Sequence, residues 1–138
     1  MSSTCDIDPS LVQKIEAFRF ANRSQGNAAL ICKIDKNKLL IEEDDDLESV
    51  NMEELAEQLP ENTPRYVVLS YELKHDDGRR SFPLVFLYYA PTGVRPELNM
   101  LYASAKTHFQ NTVGLGKVID LQDAEVLTDN WLRAKLLK

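Results

Sequence analysis

Apolar and polar positions recur along the chain with two different spacings, which together predict alternating helices and strands. Apolar residues return every three or four positions in the segments that begin at Pro9 and Pro96, as in a helix with one buried face. In other segments they alternate or run without a break, as in strands, and Asp77-Gly78 is typical of a hairpin turn. The predicted elements are a helix over 9–22, strands over 28–34 and 39–43, a short helix after Asn51, strands over 65–74 and 81–90, a helix over 96–113, a strand over 117–121 and a last helix capped by Thr128.

The predicted fold is a mixed five-stranded β-sheet flanked by helices on both faces, in the α/β (α+β) class. Helices separate the strand pairs, so the strands cannot all be neighbouring hairpins, and a sheet covered on both sides is the economical packing. The unbroken apolar run over 84–89 predicts a central strand that is buried on both faces. The acidic run from Glu42 to Asp46 is interpreted as a solvated loop.

Composition indicates one soluble domain over residues 1–138, with a short flexible segment over 1–7. Apolar residues make up 43% of the chain and charged residues 28%, as in ordinary globular proteins. The net charge of −6 argues against binding to nucleic acids or anionic membranes. No apolar run approaches the roughly 20 residues of a membrane span, and the first residues lack the features of a signal peptide. We therefore expect a reduced, cytoplasmic protein.

The sequence offers little for catalysis or for binding a metal or cofactor. His75 falls in a predicted turn and His108 lies off the apolar stripe of the long helix, so both are interpreted as solvated. Cys5 has no neighbouring histidine or basic cluster to activate its thiol, and Cys32 is expected in the core. Zinc, dinucleotide, phosphate-loop and serine-hydrolase motifs are absent from the sequence. We expect no enzyme, no metal and no cofactor.

The long helix over 96–113 predicts a protein-binding face. At about 100° per residue, the side opposite the apolar stripe carries a methionine among small and polar residues, namely Met100, Ala103, Ser104, Thr107 and Asn111. Small residues allow another surface to approach closely, and methionine adapts to an irregular groove. A lone exposed apolar residue is the alternative interpretation. Lys106 borders this face and offers a cation to an acidic partner.

Two pairs of arginines are further candidates for contact with a partner. Arg79 and Arg80 follow Asp77-Gly78 at a predicted hairpin tip that points into solvent. Arg19 and Arg23 lie at the end of the first predicted helix. Ordinary solvated charge is the alternative for all four, and a cation near a helix C-terminus is favourable without any partner.

The string Met-Leu-Tyr-Ala-Ser-Ala-Lys over 100–106 resembles the long helix of actin-depolymerising factor homology (ADF-H) domains. The predicted order of elements fits that fold, and the resemblance covers nearly the whole chain. Within the family, the chain is most similar to the glia maturation factor subfamily. The segments most specific to that subfamily are His-Asp-Asp-Gly-Arg over 75–79 and Leu-Thr-x-x-Trp-Leu over 127–132.

This resemblance implies a non-enzymatic, monomeric regulator of the actin cytoskeleton, in the cytoplasm at cortical actin patches, with the nucleus as a further compartment. Such proteins bind the actin-related protein 2/3 complex, inhibit branch nucleation and dissociate daughter filaments. Actin-binding relatives carry lysines where this chain has Glu97 and Asn99. Losing those cations weakens attraction to an acidic surface, which implies weak or no actin binding. A cofilin-type factor that severs actin filaments is the alternative.

The resemblance also implies which residues contact the complex. The long helix is expected to enter the groove of an actin-related subunit, through Leu98, Asn99, Met100, Ala103 and Lys106, with Ser2 and Ser3 alongside. A neighbouring subunit is expected to meet the terminal helix together with Arg79 and Arg80, while Arg19 and Arg23 are weaker candidates. In related factors, phosphorylation of an N-terminal serine switches binding off, which makes Ser2 a candidate for the same control.

Overall fold

A mixed six-stranded β-sheet forms the centre of the fold. The computed structural model describes residues 5–20 and 26–137. The strands are β1 (Asp6–Ile7), β2 (Ala28–Asp35), β3 (Leu40–Glu48), β4 (Arg65–Ser70), β5 (Leu73–Lys74), β6 (Arg80–Ser81), β7 (Leu84–Tyr89) and β8 (Lys117–Leu121). The main sheet has the order β1-β3-β2-β4-β7-β8, with parallel pairing at its two ends and antiparallel pairing between. β5 and β6 form a separate hairpin.

Helices cover both faces of this sheet, as the sequence predicted. They are α1 (Pro9–Arg19), α2 (Met52–Glu57), α3 (Pro96–Val113) and α4 (Asp129–Leu136), with a 3-10 helix (Ala124–Val126) before α4. Buried side chains of α1 and α3 join one core, and those of α2 and α4 join the other. In the ranges 5–20 and 26–137, every helix lacks the combined length and hydrophobicity that crossing a bilayer requires.

Alternate residues of the central strands face the two cores. On β4, Tyr66 and Val68 pack beneath α1 and α3, whereas Val67 and Leu69 pack towards α2 and α4. β7 lies between β4 and β8, and its residues from 85 to 89 are buried. An unbroken apolar run is what such a strand needs, because neither face meets water. The predicted central position of this strand is therefore confirmed.

An aromatic cluster fixes α3 to the sheet. Phe109 stacks on Tyr66 with ring centroids 5.0 Å apart, and Phe86 contacts both rings edge-on. The Tyr66 hydroxyl donates to the backbone carbonyl of Tyr102. The Tyr102 hydroxyl oxygen in turn accepts a hydrogen bond from the backbone N–H of Ile34 at 2.9 Å. The position of α3 is therefore set both by close packing and by satisfied buried hydroxyls.

Several predicted boundaries differ from the structure. The first helix ends at Arg19, with Phe20 as its C-cap, rather than near residue 22. The strands predicted over 65–74 and 81–90 are each split, into β4 with β5 and β6 with β7. Pro83 explains the second break, since it has no N–H for a sheet ladder and its carbonyl instead accepts from the Tyr71 N–H at 3.3 Å. The sixth strand, β1, was missed because two residues show no periodicity.

The acidic segment over 42–46 belongs to a strand and not to the predicted loop. β3 runs through it and pairs with β2, with a bulge in the register opposite Ile31 and Cys32. Cations from neighbouring elements meet its carboxylates: the Lys14 ammonium lies 2.8 Å from Glu43, and the Arg65 guanidinium lies 3.0 Å from Asp44. Because the side chains of this strand reach water or a cation, the backbone can form the sheet without burying an unpaired carboxylate.

The start of α2 offers a test of the local sequence signals. The Asn51 side chain accepts a hydrogen bond from the Glu54 backbone N–H at 2.7 Å, and the Glu54 carboxylate accepts one from the Asn51 N–H at 3.0 Å. We expect Asn51→Ala to lower the free energy of unfolding by about 1 kcal/mol, because a helix N–H loses its partner. Urea denaturation measures the change. Asn62→Ala, at an exposed position after the same helix, is the control, and an equal loss in both variants would contradict the capping role.

Candidate protein-binding surface

The outward side of α3 carries the residues that the helical projection placed there. Met100 is 72% exposed. Its neighbours on this side are exposed as well, namely Ala103, Ser104, Thr107 and Asn111. We call these five residues the docking face. The apolar stripe of the same helix points into the core, so the predicted orientation is confirmed, while the binding role stays a prediction.

Local sequence signals mark both ends of α3, and a contact from α1 holds its C-terminal end. Pro96 occupies the first turn, where its missing N–H costs nothing, and Gly114 ends the helix with φ of 70°, a conformation that glycine adopts without strain. Arg19 of α1 donates to the carbonyl oxygens of Val113 and Gly114, the latter at 3.2 Å. A guanidinium at this end of a helix satisfies open carbonyls and opposes the helix dipole. Arg19 therefore has a structural role in addition to its predicted one.

Three of the predicted contact residues, Ser2, Ser3 and Arg23, lie outside the described residues. Their roles stay predictions.

A groove runs beside the docking face, between the start of α3 and the turn that follows β2. Its volume is about 310 Å³, and it is lined by Lys36, Arg95, Glu97, Leu98 and Leu101. The two leucines are half-buried against the core and form its apolar wall. Asn99 is exposed on the same turn of α3. The first turns of α3 thus combine an apolar wall with charged residues at the rim.

Two ion pairs flank the docking face. At the start of α3, the Arg95 guanidinium and the Glu97 carboxylate are 4.0 Å apart, and both side chains are largely exposed. On the side towards β8, the Lys106 ammonium is 3.5 Å from an Asp120 carboxylate oxygen and 4.8 Å from the centroid of the Tyr88 ring. Burial raises the pKa of Tyr88, and the Asp120 carboxylate raises it further. Lys106, predicted to serve an acidic partner, is thus already paired within the chain.

The predicted arginine pair lies at the hairpin of β5 and β6, and both side chains are exposed. The Arg79 guanidinium is 2.6 Å from the Asp77 carboxylate, whose pKa is lowered by hydrogen bonds from the Arg79 backbone N–H and guanidinium. The Arg80 guanidinium lies 3.0 Å from the Glu72 carboxylate. Exposed pairs of this kind add little to stability, so a partner's carboxylate can replace the internal one.

The same hairpin lies against α4. The Asp76 carboxylate is 3.5 Å from the Arg133 guanidinium, and the Tyr71 hydroxyl donates to Asp129 at 2.8 Å. The turn of the hairpin therefore contacts the terminal helix through Asp76. α4 covers the opposite face of the sheet from α3. The two candidate contact surfaces consequently lie on different layers of the fold.

In the described part of the chain, the two cysteine thiols are buried, and the His75 ring contacts a neighbouring hydroxyl. Cys5 and Cys32 are buried and are not joined by a disulfide, and burial raises the pKa of both thiols. The His75 ring lies 2.9 Å from the Ser81 hydroxyl. Among residues 5–20 and 26–137, no group of three or more His, Cys, Asp and Glu side chains is arranged to hold a metal ion.

Sequence reasoning missed the surroundings of Lys106. Asp120 and Tyr88 come from two other elements, and the parallel register of β7 and β8 sets them side by side. The one local signal is that Asp120 interrupts an apolar strand segment between Ile119 and Leu121. That signal indicates an exposed position but not its partner.

Known proteins share this fold along nearly the whole chain. The family model described as cofilin/tropomyosin-type actin-binding protein matches residues 4–137. Human glia maturation factor beta is 46% identical over 132 residues, which cover 96% of this chain and 92% of that protein. The Drosophila melanogaster glia maturation factor is 39% identical over 132 residues, covering 96% and 95%. The solution structure of glia maturation factor from Caenorhabditis elegans superimposes with a TM-score of 0.81 at 34% identity, covering 98% of this chain and 99% of that one.

The chain therefore belongs to the cofilin/tropomyosin-type family, whose ADF-H fold is defined by the mixed sheet and the long helix α3. The crystal structure of Plasmodium berghei actin depolymerization factor 2 superimposes with a TM-score of 0.83 at 16% identity, over all of both chains, a likeness that shows the fold alone. Within the family, the chain groups with the glia maturation factors, which places it among the actin-regulatory proteins. The predicted fold and the predicted subfamily are both confirmed.

Proposed function

We propose that this chain regulates branched actin networks by binding the actin-related protein 2/3 complex. In this proposal it inhibits branch nucleation and promotes the dissociation of daughter filaments, without enzymatic chemistry. The observation that carries the proposal is the docking face. It is an exposed methionine among small residues, on a firmly anchored helix, in a chain 46% identical to human glia maturation factor beta.

The docking face suits insertion into the groove of an actin-related subunit. Its small side chains let the helix approach a partner closely, and Met100 fills irregular apolar space. Leu98, Asn99 and Lys106 extend the contact along the start and one side of α3. Because the aromatic cluster already holds α3 in place, binding orders little of the chain and loses little conformational entropy.

Charges at the start of α3 favour such a subunit over actin itself. Glu97 is an exposed anion and Asn99 an exposed neutral residue. The resemblance implies lysines at these two positions in actin-binding relatives. An acidic partner surface meets repulsion from Glu97 and finds no cation at Asn99. The alternative, a cofilin-type factor that severs filaments, is favoured by the family-wide description as actin-binding.

The hairpin arginines and α4 form the second contact in this proposal. Arg79 and Arg80 are exposed at the hairpin, and Arg133 of α4 lies within an ion-pair distance of its Asp76. Cations in this region suit an acidic patch on a neighbouring subunit whose carboxylates replace the internal ones. Arg19 is a weaker contact, because its guanidinium binds the end of α3. Ser2, Ser3 and Arg23 belong to the proposal through the resemblance alone.

Two contacts on different layers of the fold provide a mechanism. A bound protein shifts an assembly only by binding one arrangement of it more tightly than another. In this proposal the chain contacts an actin-related subunit and a neighbouring subunit at the same time. Its binding then disfavours the arrangement of the complex that a branch junction needs. Phosphorylation of Ser2 would add a charge of about −1.5 to −2 and weaken contact with an acidic partner, so Ser2→Glu is expected to bind less tightly.

A pull-down tests the proposal. Tagged full-length chain is incubated with cell extract and, separately, with purified complex or purified actin filaments. We expect capture of the complex and little actin. The double variant Arg79→Ala, Arg80→Ala should capture less complex than a charge-matched control, Lys38→Ala, Lys117→Ala, whose exposed lysines lie outside the hairpin. Preferential capture of actin would overturn the proposal in favour of the cofilin-type alternative.

A further inference from the structure

Beside the docking face, the Lys106 ammonium of α3 contacts residues of two neighbouring strands, β7 and β8. Lys106 projects from α3, Tyr88 lies on β7, and Asp120 lies on β8, an edge strand of the sheet. The Lys106 ammonium is 3.5 Å from Asp120 and 4.8 Å from the centroid of the Tyr88 ring, which favours a cation over its face. Because Tyr88 and Asp120 are register partners in a parallel strand pair, this arrangement is built into the sheet.

The carboxylate is the more accessible member of this pair. The Asp120 side chain is 73% exposed, whereas Lys106 keeps only 27%. A surface that approaches the docking face from this side therefore meets the carboxylate before the ammonium. The start of α3 carries a second pair of opposite charges, Arg95 and Glu97. These two pairs compensate Lys106 and Arg95, whereas Lys36, which lines the groove beside the docking face, belongs to neither pair.

We propose that Asp120 is a specificity-determining residue: by compensating Lys106, it lowers the affinity of the docking face for acidic surfaces and favours a groove with a neutral or mixed-charge rim. This inference rests on the proposed function, because it takes the docking face as the contact surface. An acidic rim must come close to the Asp120 carboxylate to reach Lys106, and like charges across an interface are strongly disfavoured. A rim that carries both a donor and an acceptor satisfies both members of the pair.

The test removes the Asp120 charge and measures binding to an acidic probe. Actin filaments serve as this probe, since the lysines of actin-binding relatives indicate an acidic contact surface. We expect Asp120→Asn to increase the affinity for filaments about three- to tenfold in co-sedimentation at low salt, because Lys106 is then uncompensated. The gain should shrink as salt is raised towards roughly 0.5 M, where exposed charges are screened.

Matched variants separate this effect from a change in overall charge. Glu57→Gln alters the net charge equally but lies on α2, on the opposite face of the sheet, and should change the affinity less than about twofold. Asp120→Glu keeps the carboxylate and should bind like wild type. In a Lys106→Gln background, Asp120→Asn should give no gain over Lys106→Gln alone, because the freed ammonium is the source of the gain.

The outcomes distinguish this inference from the proposed function. Equal affinities for Asp120→Asn and Glu57→Gln, or a gain that survives Lys106→Gln, would overturn the role of Asp120. Capture of the actin-related protein 2/3 complex by the wild-type chain tests the proposed function separately. A chain that fails to capture the complex, yet gains filament affinity on Asp120→Asn, would refute the proposed partner and retain the specificity role.

Discussion

Replacement of Met100 by aspartate should reduce the affinity for the actin-related protein 2/3 complex by about 30-fold or more. The substitution removes the main apolar side chain of the docking face and brings an unpaired charge into a desolvated groove. Unpaired interface charges cost roughly 2–5 kcal/mol, at about 1.4 kcal/mol for each tenfold in affinity. Met100 is 72% exposed in the free chain, so the free energy of unfolding should change by less than about 0.5 kcal/mol.

A matched substitution elsewhere controls for the added charge. Val126 is 42% exposed in the 3-10 helix, away from α3, and Val126→Asp should leave capture of the complex close to that of wild type. Equilibrium binding to purified complex gives the affinities, and thermal denaturation shows that both variants are folded. Undiminished binding by Met100→Asp would mean that the docking face is not the contact surface.

Phe109→Ala should destabilise the fold more than any surface change considered above. Phe109 is 0% exposed and stacks between the helix and the sheet, with its ring 5.0 Å from that of Tyr66 and 5.4 Å from that of Phe86. Removing a buried phenylalanine costs about 3–5 kcal/mol, a large part of the roughly 5–15 kcal/mol that stabilises a domain. We expect the Tm to fall by about 10 °C or more.

The control for this prediction lies on the same helix. Thr107 is exposed on the other side of α3, and Thr107→Ala should leave the Tm nearly unchanged. Urea denaturation of both variants gives the free energies of unfolding. A loss below about 1 kcal/mol for Phe109→Ala would show that α3 is held mainly by contacts outside the aromatic cluster.

The bounds of two elements, α3 and β8, could be predicted from the sequence to the residue. α3 spans Pro96–Val113 as predicted, because Pro96 and Gly114 mark its ends and the apolar stripe sets its face. β8 spans the predicted residues as well. The acidic part of β3 was assigned wrongly, since its strand conformation depends on pairing with β2 and on cations from other elements, neither of which a local composition reveals.

In the candidate site too, features set by the local sequence could be predicted, whereas contacts between distant parts of the chain could not. The exposure of Met100 follows from helical geometry, which depends only on the sequence of α3. The pairing of Lys106 with Asp120 depends on the register of two strands, and the contact of Arg19 with the end of α3 depends on the packing of two helices. A single sequence without its fold cannot supply such distances, so both residues looked like free cations.

The carboxylates of β3 have a consequence for the behaviour of many copies of this chain in solution. Within the described residues, only the first two positions of β3 pair with β1, and the remainder of the strand has unbonded backbone groups on its outer side. Two such edges paired together would bring the 6 carboxylates of one strand against those of another, with Lys14, Lys33 and Arg65 compensating only some of them within each molecule. The remaining repulsion discourages edge-to-edge pairing of strands, from which amyloid-like fibres grow. The acidic run therefore opposes aggregation.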